Sequence, residues 1–250
     1  MTIPTVTPNP LPESPLNQAA VLILTPEGSP FIAGSIADPA EQAVGSAIHT
    51  YPPDDPNLDN QFTTPIAALI PRTVQALSAE SDTARGSLAV LTVGYLSRVQ
   101  HDLARATNRT VLSSPLLAVP MLLAMLPPGR RVLVVYANLG WADLSDIPGV
   151  PSDRDSDVIR VGLEEVGPFR RAVFDRTEPF DHEAVSAQII EKLDIPDLGA
   201  VVLECGEMAA VADRIRKEVD VPVIDYHVLA SCFAAALSSS RAPSGRSHSS

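Results

Sequence analysis

LAVLTVGYLSRV (88–99) and AVVLECGEMAAV (200–211) decide the reading of this chain, because they carry one pattern at two places 112 residues apart. Each is a short apolar run, then a glycine, then apolar positions at helical spacing. The same offset lays TVLSSPLLAV (110–119) on PVIDYHVLAS (222–231) and AAVLIL (19–24) on RVLVVY (131–136). Residues 88–125 align with 200–237 without a gap, with Val90/Val202, Leu91/Leu203, Gly94/Gly206 and Val111/Val223 among the identities. A constant offset across three separate strands marks an internal repeat. Strands are expected at 19–24, 87–93, 109–114, 131–137, 199–205 and 221–225. Helices are expected at 64–79, 95–107, 115–126, 182–193, 207–219 and 227–237. Such alternation implies parallel sheets covered on both faces. The expected fold is therefore α/β: two similar Rossmann-like lobes, 19–127 and 128–237, related by a pseudo-two-fold axis with an active-site cleft between them.

The chain has 250 residues, 18 Lys+Arg and 30 Asp+Glu, a net charge of −12. That balance opposes nucleic-acid partners, which need a basic face, and anionic membrane surfaces. The longest apolar stretch, PLLAVPMLLAML (115–126), is shorter than a membrane span and contains Pro120. Two cysteines form no disulfide framework, and the first 18 residues lack the regions of a signal peptide, so a cytoplasmic location is expected. Those residues include five prolines, and 238–250 are Ser-rich; both ends are expected to be disordered. No HxxxH, HxH or CxxC spacing suggests a metal, and no Walker loop, GxGxxG or GxSxG motif suggests a nucleotide or a serine nucleophile. No metal or cofactor is expected.

Ligands of parallel α/β sheets sit beyond the carboxyl ends of the strands. The two repeats bring Thr92-Val93-Gly94 and Glu204-Cys205-Gly206 to such ends. Cys205 precedes a helix whose amides favour a thiolate, while Glu204 and Glu207 oppose one; a small buried apolar residue ending a strand is the structural alternative. Ser113 and Ser114 stand between a strand and a helix that opens on Pro115, an arrangement that caps the helix and can also receive a carboxylate. Asp225 and Tyr226 occupy the equivalent junction. His227 lies two residues past a strand, where it can relay a proton or cap a helix. The Gly/Pro-punctuated segment 30–40 follows the first strand and is a loop at the same edge.

VVLECGEMAAVADRIRKEVDVPVID (201–225) resembles the second cysteine motif of the aspartate/glutamate/hydantoin racemase superfamily. SPFIAGSIADP (29–39) is similar to the first-strand loop of one branch. LTVGYLSRVQHDLA (91–104), TVLSSPLLAVP (110–120) and VIRVGLEEVGPFRRAV (158–173) resemble further parts of that branch. The resemblance implies chemistry at a carbon next to the carboxyl or carbonyl of a small acid, without cofactor. Association into a homo-oligomer is compatible with it. In racemases of this kind two cysteines flank the carbon. Here Cys205 matches the second, while Val93 stands at the first-cysteine position and cannot move a proton. Asp38 stands where the branch has Asn, which suits a substrate bearing an amino group. The resemblance implies Cys205 as the sole catalytic thiol. Ser113, Ser114, Asp38, Thr92, Gly94 and Gly206 would bind substrate, and His227 or Tyr95 would be proton relays. Racemisation or epimerisation, and decarboxylation as in arylmalonate decarboxylase, are the reactions implied. The alternative is a catalytically decayed member that binds a metabolite or partner.

Overall fold

A computed structural model describes residues 21–26, 31–41, 47–51, 88–92, 94–107, 109–141, 147–165 and 167–238. The expected helix at 64–79, residues 1–18, nearly all of the Ser-rich tail, Val93 and the side chain of Tyr95 lie outside the described residues.

Among the described residues, eight strands form two parallel sheets. The first holds β1 (Val21–Pro26), β2 (Ala47–Tyr51), β3 (Leu88–Leu91) and β4 (Thr110–Leu112), in the order β2-β1-β3-β4. The second holds β5 (Arg131–Tyr136), β6 (Val158–Gly162), β7 (Leu198–Leu203) and β8 (Val223–Ile224), in the order β6-β5-β7-β8. The two orders are the same once the numbering is shifted by four. The α-helices are α1 (Gln100–Thr107), α2 (Val119–Met125), α3 (Pro168–Val173), α4 (His182–Ile190), α5 (Ala212–Arg216) and α6 (Tyr226–Ser238).

Three expected helices begin instead as 3-10 turns, Gly94–Val99, Pro115–Ala118 and Gly206–Val211. In the middle one Pro120 supplies the reason. It cannot donate to the carbonyl four residues back, so the α-helix starts only where Pro120 falls in its first turn. The sequence reading also missed β2, β6 and α3. The two missed strands, AIHTY and VIRVG, are each at a sheet edge, where one side of the ladder is unpaired and apolar demand is weaker.

Alternation along the strands sorts side chains into two cores. Ile23, Leu88, Val90 and Leu112 of the first sheet pack with Val132, Val134, Ala200 and Val202 of the second in a core shared by both. Leu133, Val135, Val201 and Leu203 face the other way, onto Phe169, Val185, Ile189 and Ile215. Ile32, from the loop after β1, is buried in that second core. The loop is held there by a bond from the Ile36 N–H to the Gly206 carbonyl (3.3 Å) and by two imidazoles. Nε2 of His182 lies 2.8 Å from the Ala33 carbonyl, and Nε2 of His227 lies 3.2 Å from that of Gly34.

The strand ends of β3 and β7 meet reciprocally. A Cβ on Gly94 would collide with the Glu204 carboxyl and lie 2.6 Å from the Glu204 carbonyl oxygen. A Cβ on Gly206 would lie 2.8 Å from a methyl of Ile36 and 3.2 Å from the Thr92 carbonyl oxygen. Gly94 and Gly206 are equivalent in the repeat, as are Thr92 and Glu204, so the contacts between the two strand ends are reciprocal. Gly94→Ala is expected to cost about 1–3 kcal/mol, the range for overpacking. Gly206→Ala should cost less, because its nearest neighbour is a side-chain methyl. Urea unfolding midpoints test this, and an unshifted Gly94→Ala midpoint contradicts the close approach.

Candidate functional site

Beyond β7, the Glu204 carboxyl lies against the backbone at Gly94, and Cys205 packs against the second core. Cys205 is half-buried, with an extended backbone (φ −92°, ψ 143°) at the start of the 206–211 turn. Its side chain does not cap that turn. Its S–H donates instead to Oε2 of Glu207 at 2.6 Å. Burial pushes the thiol well above its ordinary pKa, and the nearby Glu207 and Glu204 carboxylates push it further. Of the two opposing influences in the sequence, the acids prevail over the turn amides, and Cys205 rests as a protonated thiol.

Glu204 is 6% exposed. Oε2 accepts the Ala137 N–H at 3.3 Å. Burial raises its pKa to about 7 despite that bond, with the Glu207 charge adding to the rise. Burial raises the Glu207 carboxyl as well. Fully buried Tyr226 donates its hydroxyl to the Ser113 carbonyl at 2.8 Å. Burial, then the charges of Glu204, Cys205 and Glu207, hold this phenol well above its usual pKa. Among the described residues no cation is paired with Glu204, Cys205 or Glu207.

The first half contributes Ser113 and Ser114, both fully buried. Ser114 Oγ accepts the Leu116 N–H at 3.2 Å and caps the 115–118 turn, which Pro115 opens. The Ser113 N–H donates to Oε1 of Gln100 at 3.2 Å, while its Oγ has no hydrogen-bond partner among the described residues. The equivalent junction of the second half is closed: Asp225 accepts from Arg216 at 2.6 Å and from the Val228 N–H at 2.9 Å. Among the described residues, the serine junction therefore keeps an unpartnered hydroxyl, while the aspartate junction does not.

The structure gathers Thr92, Gly94, Cys205 and Gly206 where the strand ends meet, and Tyr226 ties the serines to them. Asp38 sits in the 31–41 loop. Its carboxylate accepts the N–H groups of Gly34 (2.8 Å) and Ala40 (2.9 Å), which hold its pKa below the ordinary range. Asp38 is therefore ionised and turned into its own loop. His227 lies on the Gly34 carbonyl, and no hydrogen bond joins it to Cys205 among the described residues. Sequence reasoning treated Glu204 and Glu207 only as perturbers of the thiol. Their position on either side of Cys205 was the signal available. Among the described residues no group of three or more His, Cys, Asp or Glu could hold a metal, and no helix is long and apolar enough to cross a membrane.

No family model matches the sequence. Over 149 residues the chain is 26% identical to a dimethylsulfoniopropionate lyase of Durusdinium sp. clade D. The match takes in 56% of this chain and 49% of that protein, so the chain spans about half the length of the curated relative it matches. Among solved structures, allantoin racemase from Klebsiella pneumoniae superposes with a TM-score of 0.54 and 18% identity, over 89% of this chain and 87% of that one. A cysteine variant of arylmalonate decarboxylase, in a sulfate-associated form, gives 0.53 and 16%, over 90% and 94%. Allantoin racemase from Pseudomonas fluorescens gives 0.51 and 15%, over 87% and 89%. The chain has the fold of the aspartate/glutamate/hydantoin racemase superfamily.

The raised carboxyl of Glu204 has a stability consequence. Between its ordinary value of 4.5 and about 7 the folded state holds a proton that the unfolded chain has released. Stability therefore falls as pH rises across that window, by up to about 3 kcal/mol, and then levels off. Glu207 contributes with the same sign. Glu204→Gln should flatten the slope and be more stable than the parent at pH 8. Thermal unfolding against pH measures this, and an unchanged profile would show that Glu204 is not a buried acid.

Proposed function

We propose that this protein is a cofactor-independent enzyme that transfers a proton at a carbon next to the carboxyl or carbonyl group of a small acid, with Cys205 as its one thiol. One observation carries the reading: the sulfur of Cys205 stands at a strand end 2.6 Å from Oε2 of Glu207, where burial pushes its pKa up and favours the thiol. A thiol in that state is a proton donor, so the reactions it suits are those that end by protonating an enediolate. In a decarboxylation the C–CO2 bond breaks, its electron pair enters the enediolate, and CO2 departs. The Cys205 thiol then gives its proton to the α-carbon, and Glu207 passes a solvent proton back to the sulfur. The open Ser113 hydroxyl suits the developing enediolate oxygens. The racemases and the decarboxylase that share the fold support this class of chemistry.

A second reading is elimination, in which a base removes the α-proton and a group on the neighbouring carbon leaves. Two observations favour it. Among the described residues the acids around Cys205 have no cationic partner, which suits a substrate bearing positive charge, and the sequence is similar to a dimethylsulfoniopropionate lyase. Elimination needs a base on one face only, which fits a site with a single cysteine.

Proton NMR in D2O on the protein and its Cys205→Ala variant tests both readings. The panel holds amino acids, 5-substituted hydantoins, 2-substituted malonates, maleate and dimethylsulfoniopropionate. A singly deuterated monocarboxylic acid from a malonate, slowed about 100-fold or more in Cys205→Ala, is the expected result. Olefinic signals from the sulfonium acid favour elimination. No reaction with any compound, but thermal stabilisation by one, favours a binding protein without turnover.

A further inference from the structure

We propose that Tyr226 and Gln100 are positioning residues that clamp Ser113 from two sides, so that its hydroxyl is presented to the carboxylate of a substrate. The inference rests on the reading of the site as one that handles a small acid.

The hydrogen bonds of the serine junction carry it. Ser113 is fully buried, so each of its polar groups calls for a partner. Its N–H donates to Oε1 of Gln100 at 3.2 Å, and Nε2 of the same amide donates to the Val111 carbonyl at 2.8 Å. Gln100, at the start of α1, thus fixes the end of β4 from within the first half. The Ser113 carbonyl accepts the Tyr226 hydroxyl at 2.8 Å, a tie from the second half. Both backbone groups of Ser113 are therefore taken. Its hydroxyl alone is left, buried and without a partner. The neighbouring Ser114 hydroxyl is already engaged, since it accepts the Leu116 N–H.

The repeat supplies a contrast. At the position equivalent to Ser113 the second half carries Asp225, also fully buried, whose carboxylate is satisfied by Arg216 and by the Val228 N–H. One copy of the junction holds its carboxylate on the chain. The other holds a bare hydroxyl, which costs stability until an acceptor arrives. The charges of Glu204, Cys205 and Glu207 reach the Tyr226 phenol, so the clamp borders the thiol. Clamping matters because a donor is most effective when it need not reorganise as charge arrives. With either tie removed, a freed backbone group becomes a competing partner for the hydroxyl.

Alkylation of Cys205 in the full chain by iodoacetate and by iodoacetamide tests this without turnover. With either reagent the thiolate sulfur displaces iodide from the methylene carbon, and only iodoacetate carries a carboxylate. The ratio of the two rates therefore cancels the reactivity of the thiol itself. Peptide mass mapping separates Cys205 from the exposed Cys232. Ser113→Ala and Tyr226→Phe should each slow iodoacetate by about 10-fold, the worth of one hydrogen bond to a charged group, and leave iodoacetamide unchanged. The double variant should fall no further than Ser113→Ala alone, because the tyrosine acts through the serine. Gln100→Met should shift the ratio in the same direction, and it carries the test if Tyr226→Phe does not fold. Ser113→Ala should unfold at no lower temperature than the parent. A merely structural role for Tyr226 moves both rates together, which overturns the assignment. So does an unchanged ratio in Ser113→Ala, or an unchanged ratio in folded Tyr226→Phe. A protein inert toward every compound in D2O, whose ratio still responds to these variants, would lose the proposed function and keep the clamp as part of a carboxylate-binding site.

Discussion

The closeness of two strand ends governs the rest of this structure. Gly94 can lie against the opposite half only because it has no Cβ, and it meets Glu204 while Gly206 meets Ile36 and Thr92. The shared core beneath supplies the burial that holds the sheets at that distance, through Val90 and Leu112 on one side and Val134 and Val202 on the other. Everything the site contains is placed by this approach. It seats the Glu204 carboxyl against the first half, sets Thr92 beside Gly206, and lets Tyr226 reach the Ser113 carbonyl.

Burial gives the site its chemical character, with no compensating cation among the described residues. Glu204, Cys205, Glu207 and Tyr226 would each be easier to ionise in water than here. Burial dominates in every case, and the mutual repulsion of the anions adds to it. The result is a cluster of groups whose pKa values all lie above the ordinary range, in contrast to Asp38, whose backbone donors hold its carboxyl below it. A site that holds protons is suited to delivering them.

Much of this was legible because the chain repeats itself. The offset of 112 residues places β1, β3, β4, β5, β7 and β8 and singles out the two strand ends. β2 and β6 escape because AIHTY and VIRVG lack the continuous apolar run that marks a strand buried on both faces. The 3-10 starts escaped because the same apolar spacing serves both kinds of helix over one turn. The importance of Glu204 escaped for a different reason. A glutamate beside a cysteine shows its charge in the sequence but not its burial, and it is burial that changes its pKa.

Ile32 makes each half depend on the other. It follows the first sheet and is buried in the second core, and Ala33, Gly34 and Ile36 are fastened behind it to His182, His227 and Gly206. Cutting the chain between the sheets would open the socket that Ile32 fills and strip the carbonyls that the histidines hold. The repeat is thus visible in the sequence without either copy being a module that could be lifted out whole.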